Sequence, residues 1–240
     1  MRIVFIAIFT LLAIVGVQAK TLVVYYSYTN NVERIVDELS KKIDADVLAV
    51  EPAQKGLDYA ADNYAIGSAQ IASIRNNPGD AASYPAIDPV DVNLSEYDCI
   101  IIGAPLWWSN MAAPLQTFLF QYGREMAGKK IGLIVSSASS GISGVEADAK
   151  RLIPGGDFLS PSLWIRSTQT SNAGAMLDDW LKDINYDSLT AGVGHISTDS
   201  DERYTVYALS GVRLLSEAGS VAGLSAGIYI INEKKTIISK

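Results

Sequence analysis

Five short apolar runs punctuate the chain, and between them apolar residues recur at helical spacing. The runs are Leu22–Tyr26, Val47–Val50, Cys99–Gly103, Ile131–Ser136 and Leu163–Arg166. Val32, Ile35, Val36, Leu39 and Ile43 share one helical face, and Ala112, Leu115, Phe118, Leu119 and Tyr122 share another, with Pro114 acceptable in a first turn. Val145, Ala149 and Leu152 mark a third helix that ends at Pro154-Gly155-Gly156; Ala173, Met176, Leu177, Trp180, Leu181 and Ile184 mark the last. Asn30 with Glu33, and Ser143 with Glu146, stand at capping-box spacing ahead of two of these helices. Strands alternating with helices predict βα units and a mostly parallel sheet. Met176 and Trp180 read as core residues of the last helix.

Two regions break this alternation. Residues 53–92 have no clear period in their second half, RNNPGDAASYPAIDPV, which reads as a loop. After Asn185 the polar, glycine-bearing stretch YDSLTAGVGHISTDSDE reads as a connector over 186–202. RYTVYAL, VRLL, GIYIIN and KKTIIS then predict a small all-β tail over 203–240. At the other end, MRIVFIAIFTLLAIVGVQA joins one positive charge to an apolar run, Ile3 to Val17, and ends in Val17-Gln18-Ala19. That run is short for a membrane span, so a signal peptide over 1–19 is expected, with the mature chain starting at Lys20 and no membrane span remaining. Export to the periplasm, cell surface or medium follows from it.

Composition narrows the chemistry. A chain of 240 residues with 49% apolar content suits one main domain over 20–185 plus an appendage. A net charge of −7 without a basic stripe argues against nucleic acid as a partner. Cys99 is the only cysteine and His195 the only histidine, which argues against a disulfide framework, a metal site or a Ser-His triad. Cys99 lies in DCIIIG, where a lone cysteine acts as a small hydrophobe.

Three loops follow the carboxyl ends of the first, third and fourth strands: SYTNNV at 27–32, APLWWSN at 104–110 and SASSGISG at 137–144. Ligands of open α/β sheets bind outside those strand ends. The first loop offers hydroxyls, Asn31 and the free N–H groups of a helix start, which suit a phosphate or merely cap a helix. The second puts Trp107 and Trp108 together, which suggests a flat π-partner, with one of the two packed inward. The third, nearly all Ser, Gly and Ala, lets backbone donors approach a ring edge. A phosphate pocket, a stacking indole and a backbone-rich loop together describe a site for flavin mononucleotide (FMN).

YYSYTNNVERIVDEL, YDCIIIGAPLWWSNMAAPLQTFL and GKKIGLIVSSASSGISGVEADAKRLIPG, in this order, resemble the flavodoxins, in particular the long-loop bacterial type. The resemblance implies a flavodoxin-like three-layer α/β/α sandwich whose five-stranded parallel sheet has the order 2-1-3-4-5, with the small β segment appended. It implies a phosphate loop at Ser27, Thr29, Asn30, Asn31 and Val32. It implies a first flavin loop at Pro105, Leu106, Trp107, Trp108 and Ser109, and a second at Ser139, Ser140, Gly141 and Gly144. The family pattern has glycine at position 30 and a hydroxyl residue at 32, so Asn30 and Val32 depart from it and the cradle looks worn. The tail resembles short carboxyl-terminal β segments of secreted or surface proteins in Bacteroidetes.

No side chain stands out as an acid or base, and none as a metal ligand. The expected activity is electron transfer or hydride relay at a noncovalently held FMN, with a redox partner protein or a small-molecule acceptor. An NAD(P)H-dependent quinone-type reductase and a non-redox binding protein that has lost FMN are the alternatives, because fold alone does not fix function.

Overall fold

The computed structural model describes residues 19–190, 204–208, 213–218, 224–225, 227–231 and 234–238. The expected signal segment before Ala19, most of the connector and His195 lie outside the described residues. The chain divides into two compact units, one over Ala19–Thr190 and one that includes the tail.

The larger unit is built on β1 (Thr21–Tyr25), β2 (Asp46–Ala49), β3 (Cys99–Trp107), β4 (Asn110–Met111), β5 (Lys130–Ser137), β6 (Asp157–Phe158) and β7 (Leu163–Arg166). The sheet runs β2-β1-β3-β5 and then β6 and β7, which pair in succession along the outer edge of β5 as two halves of a fifth strand. All these pairings are parallel, so the expected order 2-1-3-4-5 stands. The one antiparallel partner is β4, which folds back on the end of β3.

Side chains of a strand alternate between faces, and here the alternation divides two cores. Leu22, Val24, Ile100, Ile102, Leu133 and Val135 face one side, where they meet α2 (Ala61–Asn76), α3 (Ala113–Tyr122) and α4 (Ser143–Leu152). Val23, Ile101, Ile134 and Ile165 face the other, against α1 (Asn31–Ser40) and α5 (Ala173–Asp183). Trp180 is 2% exposed in that second core, as its helical spacing predicts. Cys99 is buried there too, and burial pushes its thiol up to about 11, so it stays protonated at neutral pH.

Two elements go beyond the sequence reading. Within residues 53–92, α2 packs Gly67, Ile71 and Ile74 inward, and its first turn carries Asp62, Asn63 and Tyr64 in the left-handed region. Past Asn185, the short α6 (Tyr186–Thr190) keeps Tyr186 buried, and its hydroxyl lies 2.8 Å from Thr21 Oγ1. The larger unit therefore continues through Thr190. In the tail, β8 (Tyr204–Ala208), β9 (Arg213–Ala218), β10 (Gly227–Ile231) and β11 (Lys234–Ile238) form an antiparallel sheet in the order β11-β10-β8-β9. These are the four strands the texture of the tail predicts. No helix among the described residues is long and apolar enough to cross a membrane.

Candidate functional site

The turn between β1 and α1 begins at Tyr26 and closes at Asn30, whose backbone is left-handed at φ 61. An N-cap side chain reaches back to its helix from an extended backbone, so the expected Asn30–Glu33 capping box does not form. Ser27 Oγ takes over one part of that work and accepts the Glu33 N–H at 3.3 Å. Asn31 Nδ2 donates to Thr29 Oγ1 at 3.0 Å, and both Thr29 and Asn30 are exposed. Asn31 and Val32 occupy the first turn, where a helix supplies no acceptor for its own N–H groups. The Val32 side chain is 2% exposed and packs toward Gly103 in the core, so this position offers the loop a backbone N–H alone.

The second loop is a hairpin rather than a loop. β3 continues through Ala104, Pro105, Leu106 and Trp107, because Pro105 still pairs with Ser136 and the pairs Leu106–Met111 and Trp107–Asn110 then take over. Trp108 and Ser109 form the two-residue turn with φ 46 and φ 62, the left-handed pair of a type I′ hairpin. Neither is glycine, so the turn is strained. The two indoles part company here. Trp107 is half-buried and meets Tyr26 edge-on at 5.7 Å and Tyr59 at 4.8 Å between ring centroids. Trp108 is 41% exposed, and its ring rests on α2 at Gly67, where a Cβ would come within 2.9 Å of it.

The excursion 53–92 ties the first two loops together. Tyr28 donates from its hydroxyl to Asp58 Oδ1 at 3.0 Å and accepts the Ala60 N–H, while its ring meets Tyr59 edge-on at 5.3 Å. Tyr59 in turn touches Trp107. The Ala60 N–H and the Tyr28 hydroxyl hold the Asp58 carboxyl below the usual carboxylate range. Further along, Arg75 Nη2 donates to the Trp108 carbonyl at 3.0 Å.

The third loop leaves β5 at Ser137, whose hydroxyl accepts the Trp164 Nε1–H at 2.8 Å and donates to the Ser140 carbonyl at 2.9 Å. Ser139, Ser140 and Gly141 are exposed, and Gly141 has open space around it. Helix α4 starts at Ser143 itself, so the expected Ser143–Glu146 box is absent as well. Gly144 sits in the first turn of α4 against the hairpin: a Cβ there would fall 1.7 Å from Ser109 O. Only glycine lets the second and third loops approach so closely.

The structure therefore brings Trp108, Ser109 and Gly144 together, links Ser27–Asn31 to them through the tyrosine cluster, and leaves Val32 only its backbone N–H to offer. It also adds residues that sequence reasoning missed. Asp148, 6% exposed, accepts Asn110 Nδ2–H at 2.8 Å, the Met111 N–H at 3.0 Å and Arg151 Nη2–H at 3.0 Å. Arg151 reaches on to Gln116 Oε1 and the Tyr84 hydroxyl, and Gln116 Nε2 donates to the Met111 carbonyl. The i, i+3 spacing of Asp148 and Arg151 was the available signal. No group of three His, Cys, Asp or Glu among the described residues could hold a metal ion.

An open parallel sheet of order 2-1-3-4-5, with a helix start, a tryptophan hairpin and a Ser/Gly loop at its carboxyl end, defines the flavodoxin-like class. Residues 20–184 match the model of the flavodoxin family, and the chain belongs to that family. A protein from Bacteroides eggerthii assigned as a flavoprotein is similar at 23% identity and TM-score 0.56, over 70% of this chain and 98% of that one. A second, from Bacteroides uniformis, is similar at 26% identity and TM-score 0.54, over 69% and 99%. A Lactobacillus acidophilus flavoprotein solved in complex with FMN shares the fold at 21% identity and TM-score 0.51, over 65% and 99%.

Proposed function

We propose that this protein binds FMN noncovalently at the carboxyl ends of β1, β3 and β5 and passes electrons or hydride through it. The observation that carries this reading is the contact of Gly144 with Ser109, which joins two loops into one backbone edge beside the exposed Trp108. Family membership and the FMN complex of the Lactobacillus relative support the choice of ligand.

The donor set fits the group. In the first turn of α1 the N–H groups of Asn31 and Val32 and the hydroxyl of Thr29 would hold a phosphate, with the positive end of the helix dipole behind them. The exposed indole of Trp108 offers a flat face, and the open backbone of Ser139, Ser140 and Gly141 offers donors to a ring edge. Pro105 and Leu106, within β3, support the hairpin. When bound, FMN supplies the redox chemistry, and the protein supplies position and electrostatics. The electrons pass to a redox partner protein or a small-molecule acceptor.

Adding FMN to the purified protein tests the reading: a yellow, fluorescence-quenched complex supports it, and a protein that binds neither FMN nor riboflavin ends it. Steady-state oxidation of NAD(P)H by the loaded protein separates a reductase from a carrier. The same reading includes export, for which the basic, apolar and small-residue succession of the first nineteen residues is the support. Native material should have the intact mass of a chain starting at Lys20; a mass that includes Met1 to Ala19 rejects it. The β tail, likened to surface-protein segments, belongs to the same proposal.

A further inference from the structure

We infer that Asp148 is a positioning residue that couples the tryptophan hairpin to α4, and so sets where the flavin-facing backbone of Ser109 stands. Its functional half rests on the flavin reading; its structural half does not. The carboxylate is nearly buried, and its three donors come from three places: a hairpin side chain (Asn110), the hairpin backbone (Met111) and the next turn of α4 (Arg151). One charge thus ties the returning strand β4 to the helix whose first turn carries Gly144, and Gly144 in turn abuts Ser109. Hydrogen bonds to a nearly buried carboxylate are among the strong ones, and removing the acceptor leaves the Asn110 and Met111 donors unsatisfied.

The hairpin needs such an anchor. Trp108 and Ser109 hold left-handed backbones that only glycine adopts freely, and Asn110 Oδ1 is buried without a hydrogen-bond partner because its amide is turned to Asp148. Each is a local cost that the surroundings must outweigh, and costs of this kind persist where geometry is held for a purpose. Arg75 on the Trp108 carbonyl braces the other side of the same turn. With both in place, the tip cannot relax to a commoner turn without breaking the Asn110 and Met111 hydrogen bonds to a nearly buried carboxylate or losing the Arg75 donor.

The test uses the full-length protein with Asp148→Asn, and with Asn110→Ala, which keeps the Asp148–Arg151 pair should the first variant fail to fold. Amide exchange of Trp107–Met111 in the flavin-free protein should accelerate at least tenfold over the unaltered protein, while Cys99–Gly103 in the same strand hold their rates. FMN and riboflavin should then both bind about tenfold more weakly, with their ratio unchanged, because the effect sits at the ring and not the phosphate. Hairpin amides that keep their protection in both variants overturn the inference. Loosened amides with unaltered flavin affinity overturn its functional half. If the unaltered protein binds neither flavin, the flavin reading fails on its own, and exchange in the ligand-free protein still decides whether Asp148 holds the hairpin.

Discussion

The turn after β1 and the hairpin after β3 lie at the same end of one sheet, and both hold non-glycine residues in left-handed backbone: Asn30 in the first, Trp108 and Ser109 in the second. Their surroundings differ. The first is exposed at its tip and closed by short polar contacts of Ser27, Thr29 and Asn31. The second is braced by Arg75, Gly144 and the Asp148 network. Strain at a tight turn therefore survives in two ways here. A lone Asn, among the residues most tolerant of left-handed backbone, needs little support, whereas consecutive Trp and Ser need a buried anchor. The hairpin is the more heavily braced of the two turns, and the first turn is the more open.

The largest break in this contrast should come from Gly144→Ala. A methyl 1.7 Å from Ser109 O must push the hairpin off α4, so stability in urea unfolding should fall by about 3 kcal/mol. Unchanged stability would mean that the two loops are not held together. The two tryptophans should separate next. Trp107→Ala removes a ring packed on Tyr26 and Tyr59 and should cost about 2–3 kcal/mol of stability. Trp108→Ala should leave unfolding nearly unchanged and weaken FMN by about 1–3 kcal/mol, with fluorescence of the bound flavin recovering. Equal effects of the two on FMN affinity would erase the distinction between a packing and a stacking indole.

The open turn should respond more gently. Asn30→Gly relieves one left-handed residue and should stabilise the protein by about 1 kcal/mol or less, while tightening FMN and leaving riboflavin unaltered. Val32→Thr should not restore a phosphate ligand. Its hydroxyl would enter the core beside Gly103, so a loss of about 1–2 kcal/mol in stability is expected with no gain in FMN affinity. A gain from that change would show that position 32 can turn outward.

The smallest effect concerns pH. The Asp58 carboxyl is lowered in the folded protein by the Ala60 N–H and the Tyr28 hydroxyl. A depressed folded value means that the clasp contributes stability above the unfolded value of about 4 and loses it as pH falls through the folded one. Asp58→Asn should therefore lower stability at pH 8 slightly and flatten the acid limb of the stability curve, so that its difference from the unaltered protein shrinks as the pH falls below about 4. An acid limb identical in both proteins would remove Tyr28–Asp58 as the link between the first loop and the excursion.

How much of this was legible follows from the distance over which each feature is decided. The runs at 22–26, 99–103 and 131–136 are strands because consecutive branched residues can only be buried on two faces of a sheet, and the helices between them show their stripes locally. Helix α2 was missed because Gly67, Ile71 and Ile74 are spaced as one face but diluted by Ala and Ser, and its first turn is not right-handed. The extension of β3 was missed because its partner β4 is two residues long, too short for any period. Both capping boxes had the right spacing and failed, one because Asn30 is left-handed and one because α4 begins at Ser143.

The sequence by itself determined the βα alternation, the inert burial of Cys99 and the three loops that follow strands, since these depend on side-chain volume and spacing within a few residues; the sheet order came from the family resemblance, not from local spacing. Only the tertiary structure decided what those loops offer a ligand. It buried the Val32 side chain, split Trp107 from Trp108, and gave the Asp148 carboxylate its partners Asn110 and Met111, which stand 38 and 37 residues away. Hydrogen bonds and close contacts of that kind exist only once the sheet has brought distant segments within a few ångströms, and no local pattern encodes them.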